Sequence, residues 1–78
     1  MMKYLTYEDR ELGLVFLAFS GSLSHEDVAS KIGKGRKGTR SAGFISLTAA
    51  GFHCYGESQS LGVVSLVSDS KLATTFFK

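Results

Sequence analysis

The spacing of hydrophobic and polar positions predicts a β-hairpin at the start of the chain. Residues 2–7, MKYLTY, combine tyrosine, leucine and threonine in a run that is typical of a strand. The polar cluster EDRE then predicts a turn, and LGLVFLAF predicts the second strand. This second strand is apolar at both odd and even positions, so we expect both of its faces to be covered and the strand to lie centrally in a sheet.

The stretch SLSHEDVASKIG predicts a helix over residues 25–32. Ser24 is suited to cap the helix, and two acidic residues follow in its first turn. Gly33 stands where a glycine often ends a helix, and Val28 and Ile32 are four residues apart on one face. We expect this helix to pack on the sheet.

The second half of the chain predicts another hairpin and a further strand. In SAGFISLTAAGFHCYG, residues 42–48 and 52–56 are strand-like, and the connection AAG places Gly51 where a positive φ is needed. Residues 61–67, LGVVSLV, have the β-branched content of a fifth strand. The tail SDSKLATTFFK fits a short helix capped by Ser68, although TTFF fits a strand equally well.

The predicted order is therefore β-β-α-β-β-β with a possible C-terminal helix, in one α+β domain over residues 1–78. A largely antiparallel sheet of about four or five strands would pack against one or two helices, and the strand order stays open. A chain of 78 residues buries only about 60–65% of its unfolded surface, which leaves room for a single modest core.

The longest apolar run and the single cysteine indicate where in the cell the protein is expected. Residues 12–19 form an apolar run of eight residues, whereas a membrane-spanning helix needs about 20, so no membrane segment is expected. Cys54 is the one cysteine of the chain and cannot form an intrachain disulfide. These features favour a reducing, cytoplasmic location.

Positive charge is concentrated in residues 31–40, KIGKGRKGTR, which we call the basic loop. It contains five of the nine Lys and Arg residues of the chain. Outside it, four basic residues stand against seven acidic ones, although the net charge of the whole chain is +2. The basic loop is either a contact for phosphates, nucleic acid or an acidic protein surface, or a solvated connection whose cations stabilise the preceding helix. The candidate contact residues are Lys31, Lys34, Arg36, Lys37 and Arg40.

The glycines of the basic loop spell G-x-G-x-x-G, but their context argues against a nucleotide cofactor. A dinucleotide site needs these glycines after a strand and at the start of a helix, where the free N–H groups bind the pyrophosphate. Here they follow a helix and precede a strand. A Walker A loop is excluded as well, because Thr39 occupies the position of its lysine.

No catalytic or metal-binding residues are expected. His53 and Cys54 are neighbours in a predicted strand and point to opposite faces, so they cannot form a nucleophile–base pair, and Cys54 is expected in the core. His25 is expected at the surface, and two distant histidines make a weak metal case. GESQS approaches the G-x-S-x-G nucleophile elbow with Ser58, but Ser60 replaces the last glycine and a strand-like run follows.

Three segments, HEDVA, SAGF and GFHCYGESQSLG, resemble small proteins encoded in bacteriophages and prophages, over nearly the whole chain. The resemblance is to a family of unknown function. It implies a cytoplasmic accessory protein of a phage or its bacterial host, and it assigns no binding or catalytic residue.

These features favour a small non-enzymatic binding module that meets a protein or nucleic-acid partner through the basic loop. His53, Tyr55 and Ser58 form a possible secondary surface. The alternative is a structural or protein-interaction subunit, either monomeric or homodimeric, that acts through a strand edge or an apolar patch while the basic loop is merely solvated. An enzyme is the third hypothesis, and no cofactor is expected.

Overall fold

The computed structural model describes residues 1–77, which form six strands and two helices. The chain is α+β, as the sequence predicts. Neither helix, at seven and eight residues, is long enough to span a bilayer in this part of the chain. In chain order the elements are β1 (Met2–Asp9), β2 (Gly13–Ser20), α1 (His25–Lys31), β3 (Ser41–Thr48), β4 (Gly51–Tyr55), β5 (Glu57–Ser58), β6 (Val63–Val64) and α2 (Asp69–Phe76).

Four strands form one antiparallel sheet in the order β2-β1-β3-β4. β1 pairs with β2 over its whole length, with Met2 opposite Ser20, and with β3 on its other side, where Met2 is opposite Ile45. β3 and β4 form the second hairpin, with Phe44 opposite Tyr55. β5 and β6 form a separate two-stranded sheet.

The predicted helix and hairpins are confirmed, together with the local signals that predict them. Ser24 caps α1 by accepting a hydrogen bond of 3.0 Å from the N–H of Asp27. Gly33 has a φ of +70° just after the helix. Gly51 has a φ of +116° at the start of β4, where an L side chain would be strained.

The predicted central position of the second strand is wrong, because β2 lies at the edge of the sheet. Its two faces are nevertheless both covered: Leu14 and Phe16 pack in one apolar cluster, and Leu17 and Phe19 pack in another. A run that is apolar at both odd and even positions indicates that both faces of the strand are covered. It carries no information on whether a second strand pairs beside it.

Each face of the main sheet carries its own half of the core. We call the face covered by α2 the α2 face and the opposite one the α1 face. The buried residues of the α2 face are Tyr4, Phe16, Ile45, Cys54 and Ala73. Those of the α1 face, where α1 and the β5–β6 hairpin pack, are Leu5, Phe19, Ala29, Ala42 and Leu61.

The predicted fifth strand over 61–67 is reduced to the two residues of β6, which pair with the unpredicted β5. Leu61 is buried and its N–H donates to the Ser58 hydroxyl at 3.1 Å, while Gly62 has a φ of +68°. The segment is therefore part of a tight hairpin, and a side-chain hydrogen bond stabilises its turn. Its β-branched residues pair with another strand only over the two residues of β6.

The tail is a helix rather than a strand. Ser68 is the N-cap residue, but its side chain makes no capping bond. Instead, the carboxylate of Asp69 accepts a hydrogen bond of 3.0 Å from the N–H of Leu66 and ties the start of α2 to the preceding turn.

α2 also covers the outer edge of β4. The hydroxyls of Ser70 and Thr74, four residues apart on one face of the helix, accept hydrogen bonds from the N–H groups of Cys54 and Phe52. The distances are 2.8 Å for Cys54 and 2.9 Å for Phe52. The unpaired donors of this edge strand are therefore satisfied within the chain.

Candidate functional site

The basic loop is a folded turn rather than a loose connection. The carbonyl of Gly35 accepts hydrogen bonds from the N–H of Gly38 at 3.1 Å and from the buried hydroxyl of Thr39 at 2.8 Å. The N–H of Arg40 donates to the carbonyl of Thr6 at 2.8 Å, which attaches the end of the loop to β1. The backbone conformation of the loop is thus fixed by internal bonds, while Lys31, Arg36 and Lys37 remain exposed.

Three of the five cations of the basic loop, Lys31, Arg36 and Lys37, are exposed. Lys34 is partly covered, because its Nζ lies 5.3 Å from the centroid of the Tyr7 ring. This cation–π contact holds the ammonium group near one place on the surface. The loop therefore presents one partly covered cation beside three exposed ones.

A groove of about 730 Å³, which we call the basic groove, runs between the basic loop and the turn of the β5–β6 hairpin. Lys34 and Arg36 line one side, and Gln59 and Ser60 line the other. Glu26 also lines the groove, so one acidic residue stands beside the two basic ones. The groove combines positive charge with hydroxyl and amide donors, which is the chemistry that binds oxyanions.

Arg40 differs from the other predicted contact residues of the basic loop, because its side chain is only partly exposed and its charge is paired. Its Nη1 lies 2.9 Å from Oδ1 of Asp69 and also donates to the hydroxyls of Thr6 and Ser41 at 3.2 and 3.3 Å. Its Nη2 donates to Ser68 at 3.3 Å. The charge of Arg40 is used to bind α2 to the sheet.

Asp69 is the centre of a buried polar cluster. Its Oδ2 accepts a hydrogen bond of 2.6 Å from the hydroxyl of Tyr4, and its side chain is fully buried. Burial opposes ionisation, but the hydrogen bonds from Tyr4, Leu66, Ser41 and Arg40 outweigh it and hold the pKa of the Asp69 carboxyl below its ordinary value. None of these side chains lines the basic groove, so the cluster is structural.

The same cluster keeps Tyr4 protonated. Burial of the ring, the hydrogen bond to Asp69 and the negative charge of that residue raise the pKa of the Tyr4 hydroxyl far above its ordinary value. Tyr4 is therefore a permanent donor to Asp69. Sequence reasoning missed this pair because 65 positions separate the two residues and neither stands in a motif.

The predicted secondary surface is only partly assembled. His53 and Tyr55 are exposed on the α1 face of β4, with stacked rings whose centroids are 5.1 Å apart. The ring of Phe44 lies beside them, with its centroid 5.8 Å from that of Tyr55, and we call these three rings the aromatic strip. Ser58 does not join it, because Ser58 is buried and its hydroxyl accepts the N–H of Leu61.

A second groove, of about 510 Å³, joins the aromatic strip to the basic groove. Lys3, Phe44 and Glu57 line it, and it shares Gln59 and Ser60 with the basic groove. The second groove thus reaches Phe44 beside the exposed rings of β4, and it borders the basic groove through Gln59 and Ser60. The sequence gives no sign of this junction, because Gln59 and Ser60 belong to a turn that looks merely polar.

His25 is buried, which corrects its predicted place at the surface. Only 3% of the residue is exposed, and the rings of Phe19 and Phe44 approach it edge-on with centroids 5.5 and 6.3 Å away. Its Nε2–H donates to the carbonyl of Gly43 at 2.9 Å. Burial, with a contribution from the nearby ammonium of Lys3, lowers the pKa of His25 below 6.5.

We expect the free energy of unfolding to fall as the pH decreases through about 6.5 because of His25. The unfolded chain binds a proton near pH 6.5 and the folded chain only at lower pH, so acid stabilises the unfolded state. Urea titrations at several pH values measure the effect. His25→Gln should flatten the dependence, whereas the control His53→Gln, at an exposed position, should retain it; an unchanged slope in His25→Gln contradicts the assignment.

Cys54 lies in the core of the α2 face, as the sequence predicts, and its thiol is free. Burial and the charge of Asp69 raise the pKa of the thiol to about 11.

We expect Cys54→Ser to lower the free energy of unfolding by about 1–3 kcal/mol, because a hydroxyl replaces a buried thiol without gaining a partner. A thiol reagent should label Cys54 slowly in the native protein and rapidly in denaturant; fast native labelling contradicts burial.

The geometry keeps apart the two neighbouring residues of β4 that could have formed a nucleophile–base pair. Cys54 is buried and its neighbour His53 is exposed on the opposite face of β4. Within residues 1–77, no three His, Cys, Asp or Glu side chains lie close enough together to hold a metal ion. No protein-family profile, curated protein or solved structure is significantly similar to this chain.

Proposed function

We propose that this protein is a small non-enzymatic module that binds an anionic partner, a nucleic acid or an acidic protein surface, in the basic groove. The observation that carries the proposal is the convergence of Lys34 and Arg36 on one groove of about 730 Å³. Lys31 and Lys37 are exposed in the same basic loop and add to its positive charge. A chain that is otherwise acidic thus presents one positive surface, which would attract an anionic partner and orient it.

The chemistry of the groove is that of phosphate recognition. A guanidinium binds a phosphate through two parallel N–H groups, and an ammonium binds it as a point charge. Gln59 and Ser60 on the opposite side supply neutral donors of the kind that also bind phosphate and sugar oxygens. The fixed turn of the basic loop lowers the cost of ordering these groups when a ligand binds.

A salt titration with a short DNA duplex tests this proposal. Lys34→Ala combined with Arg36→Ala removes both cations of the groove, and Arg10→Ala combined with Lys71→Ala removes the same charge elsewhere. If both groove cations contact phosphates, the slope of log K against log salt should become shallower by about 1.8 in the groove variant. The control should keep a slope close to that of the wild type.

The sequence dependence of binding gives a second readout. Phosphate contacts position a protein without reading bases, so the groove variant should bind all duplex sequences more weakly by a similar factor. Equal affinity and equal slope in the groove variant and the wild type would show that the basic loop is only a solvated connection. An acidic peptide tested beside the duplex distinguishes a protein partner from a nucleic acid.

The alternative is a protein-interaction subunit that acts through a strand edge or an apolar patch. An apolar groove of about 230 Å³ on the α2 face favours it, with Met2, Ala18, Leu47 and Phe77 in the lining. On either proposal we place the protein in the cytoplasm as an accessory of a phage or its bacterial host. The likeness to phage-encoded proteins and the buried free thiol of Cys54 support this location.

A further inference from the structure

The outer edge of β2 is open. β2 pairs with β1 on one side, and no hydrogen bond within residues 1–77 reaches the backbone of residues 14–19 from the other side. The opposite edge of the sheet is closed, because hydroxyls of Ser70 and Thr74 accept the outward N–H groups of β4. The sheet therefore has one occupied edge and one row of free donors and acceptors.

The sequence of β2, GLVFLAFS, has none of the features that usually protect such an edge. It contains no charged residue and no proline along its eight residues. Val15, Leu17 and Ala18 are only half-buried along it. Phe76, half exposed at the end of α2, lies with its ring centroid 5.6 Å from that of Phe16 and adds apolar surface beside the strand. An uncharged edge of eight residues favours pairing with another strand.

We propose that a second copy of this chain occupies the β2 edge, in an antiparallel pairing about a two-fold axis. Two identical uncharged strands present no like charges to each other, and the antiparallel arrangement makes one surface complementary to itself. Because the β4 edge is closed by α2, the pairing ends at two copies instead of growing into a fibre. The product is a continuous sheet of eight strands, four from each copy.

The mass of the protein in solution and two matched variants test the pairing. Sedimentation equilibrium at micromolar to millimolar concentration should give twice the chain mass of 8.4 kDa. Val15→Lys places a charge on the β2 edge, and Val67→Lys makes the same change at a fully exposed position away from it. Val15→Lys should raise the dissociation constant by about 100-fold, because it places a charged side chain of each copy in an uncharged edge that the pairing would bury. Val67→Lys should leave the dissociation constant unchanged.

Two further outcomes decide the interface. A wild-type protein that stays monomeric at millimolar concentration overturns the proposal. So does a dimer that Leu47→Lys dissociates and Val15→Lys does not, because the apolar groove of the α2 face is then the interface. The groove variant that lacks Lys34 and Arg36 should remain a dimer, so failure of anion binding is separate from failure of pairing.

Hydrogen exchange tests the pairing on the wild-type chain, in case Val15→Lys does not fold. Alternate amides of β2 should exchange slowly at high concentration and faster on dilution, because their partners would be carbonyls of the second copy. Amides of β3, which are bonded within one chain, serve as the internal control. Exchange of the β2 amides that does not depend on concentration overturns the proposal.

Discussion

Replacing Asp69 with alanine is expected to lower the free energy of unfolding by about 3–5 kcal/mol, the range for breaking a buried ion pair. The fully buried carboxylate accepts hydrogen bonds from Tyr4, Leu66 and Arg40. Its removal leaves the buried Tyr4 hydroxyl without its acceptor and the guanidinium of Arg40 without its counter-ion. Urea denaturation monitored by circular dichroism measures the change.

The matched control for Asp69→Ala is Asp27→Ala. Both residues lie in the first turn of a helix, so each change removes one charge that favours the helix N-terminus. Asp27 is exposed, and its replacement is expected to cost under about 1 kcal/mol. Equal losses from the two variants would show that the buried cluster contributes nothing beyond the helix charge.

The Asp69 cluster also has an expected pH dependence. Its hydrogen bonds lower the pKa of the carboxyl in the folded chain, so the unfolded chain binds the proton first as the pH falls. The stability that Asp69 contributes is therefore present above about pH 3.8 and is lost below it. The pH range over which Asp69 loses its stabilising contribution lies below the range for His25. Unfolding measurements at a single series of pH values therefore separate the effects of the two residues.

Gly43→Ala is expected to lower the free energy of unfolding by about 3 kcal/mol, at the upper end of the usual range for one inserted methyl group. A Cβ at Gly43 would overlap the carbonyl oxygen of Tyr55 and would lie 3.4 Å from the carbonyl carbon of Gly56. These are backbone atoms, which cannot rotate away as a flexible side chain would. The change must move β4 relative to β3 or displace the peptide that follows it.

Gly35→Ala is the control for Gly43→Ala. No atom lies within 4 Å of a Cβ built at Gly35, and its φ is outside the positive range. The substitution should be neutral or slightly stabilising, because alanine restricts the unfolded chain. If Gly43→Ala is equally neutral, the close approach of the Tyr55 carbonyl is not a constraint on the fold.

The sequence by itself determined the local elements and the class of fold. Helix α1 is predicted by the Ser24 cap and by Gly33 at its end. The hairpins are predicted by apolar runs that flank turn residues. The alternation that places Cys54 inside and His53 outside is also local, because successive side chains of a strand point to opposite faces. In each case the cause lies within a few residues of its effect.

Only the tertiary structure decided which residues meet across the chain. The partner of Arg40 is 29 positions away, and the ring of Phe44 that helps bury His25 is in a different element. The second wall of the basic groove comes from the β5–β6 turn, which bears no charge pattern that would pair it with the basic loop. Periodicity and caps encode the conformation of a segment, whereas strand order and the pairing of distant polar groups depend on how all the segments pack together.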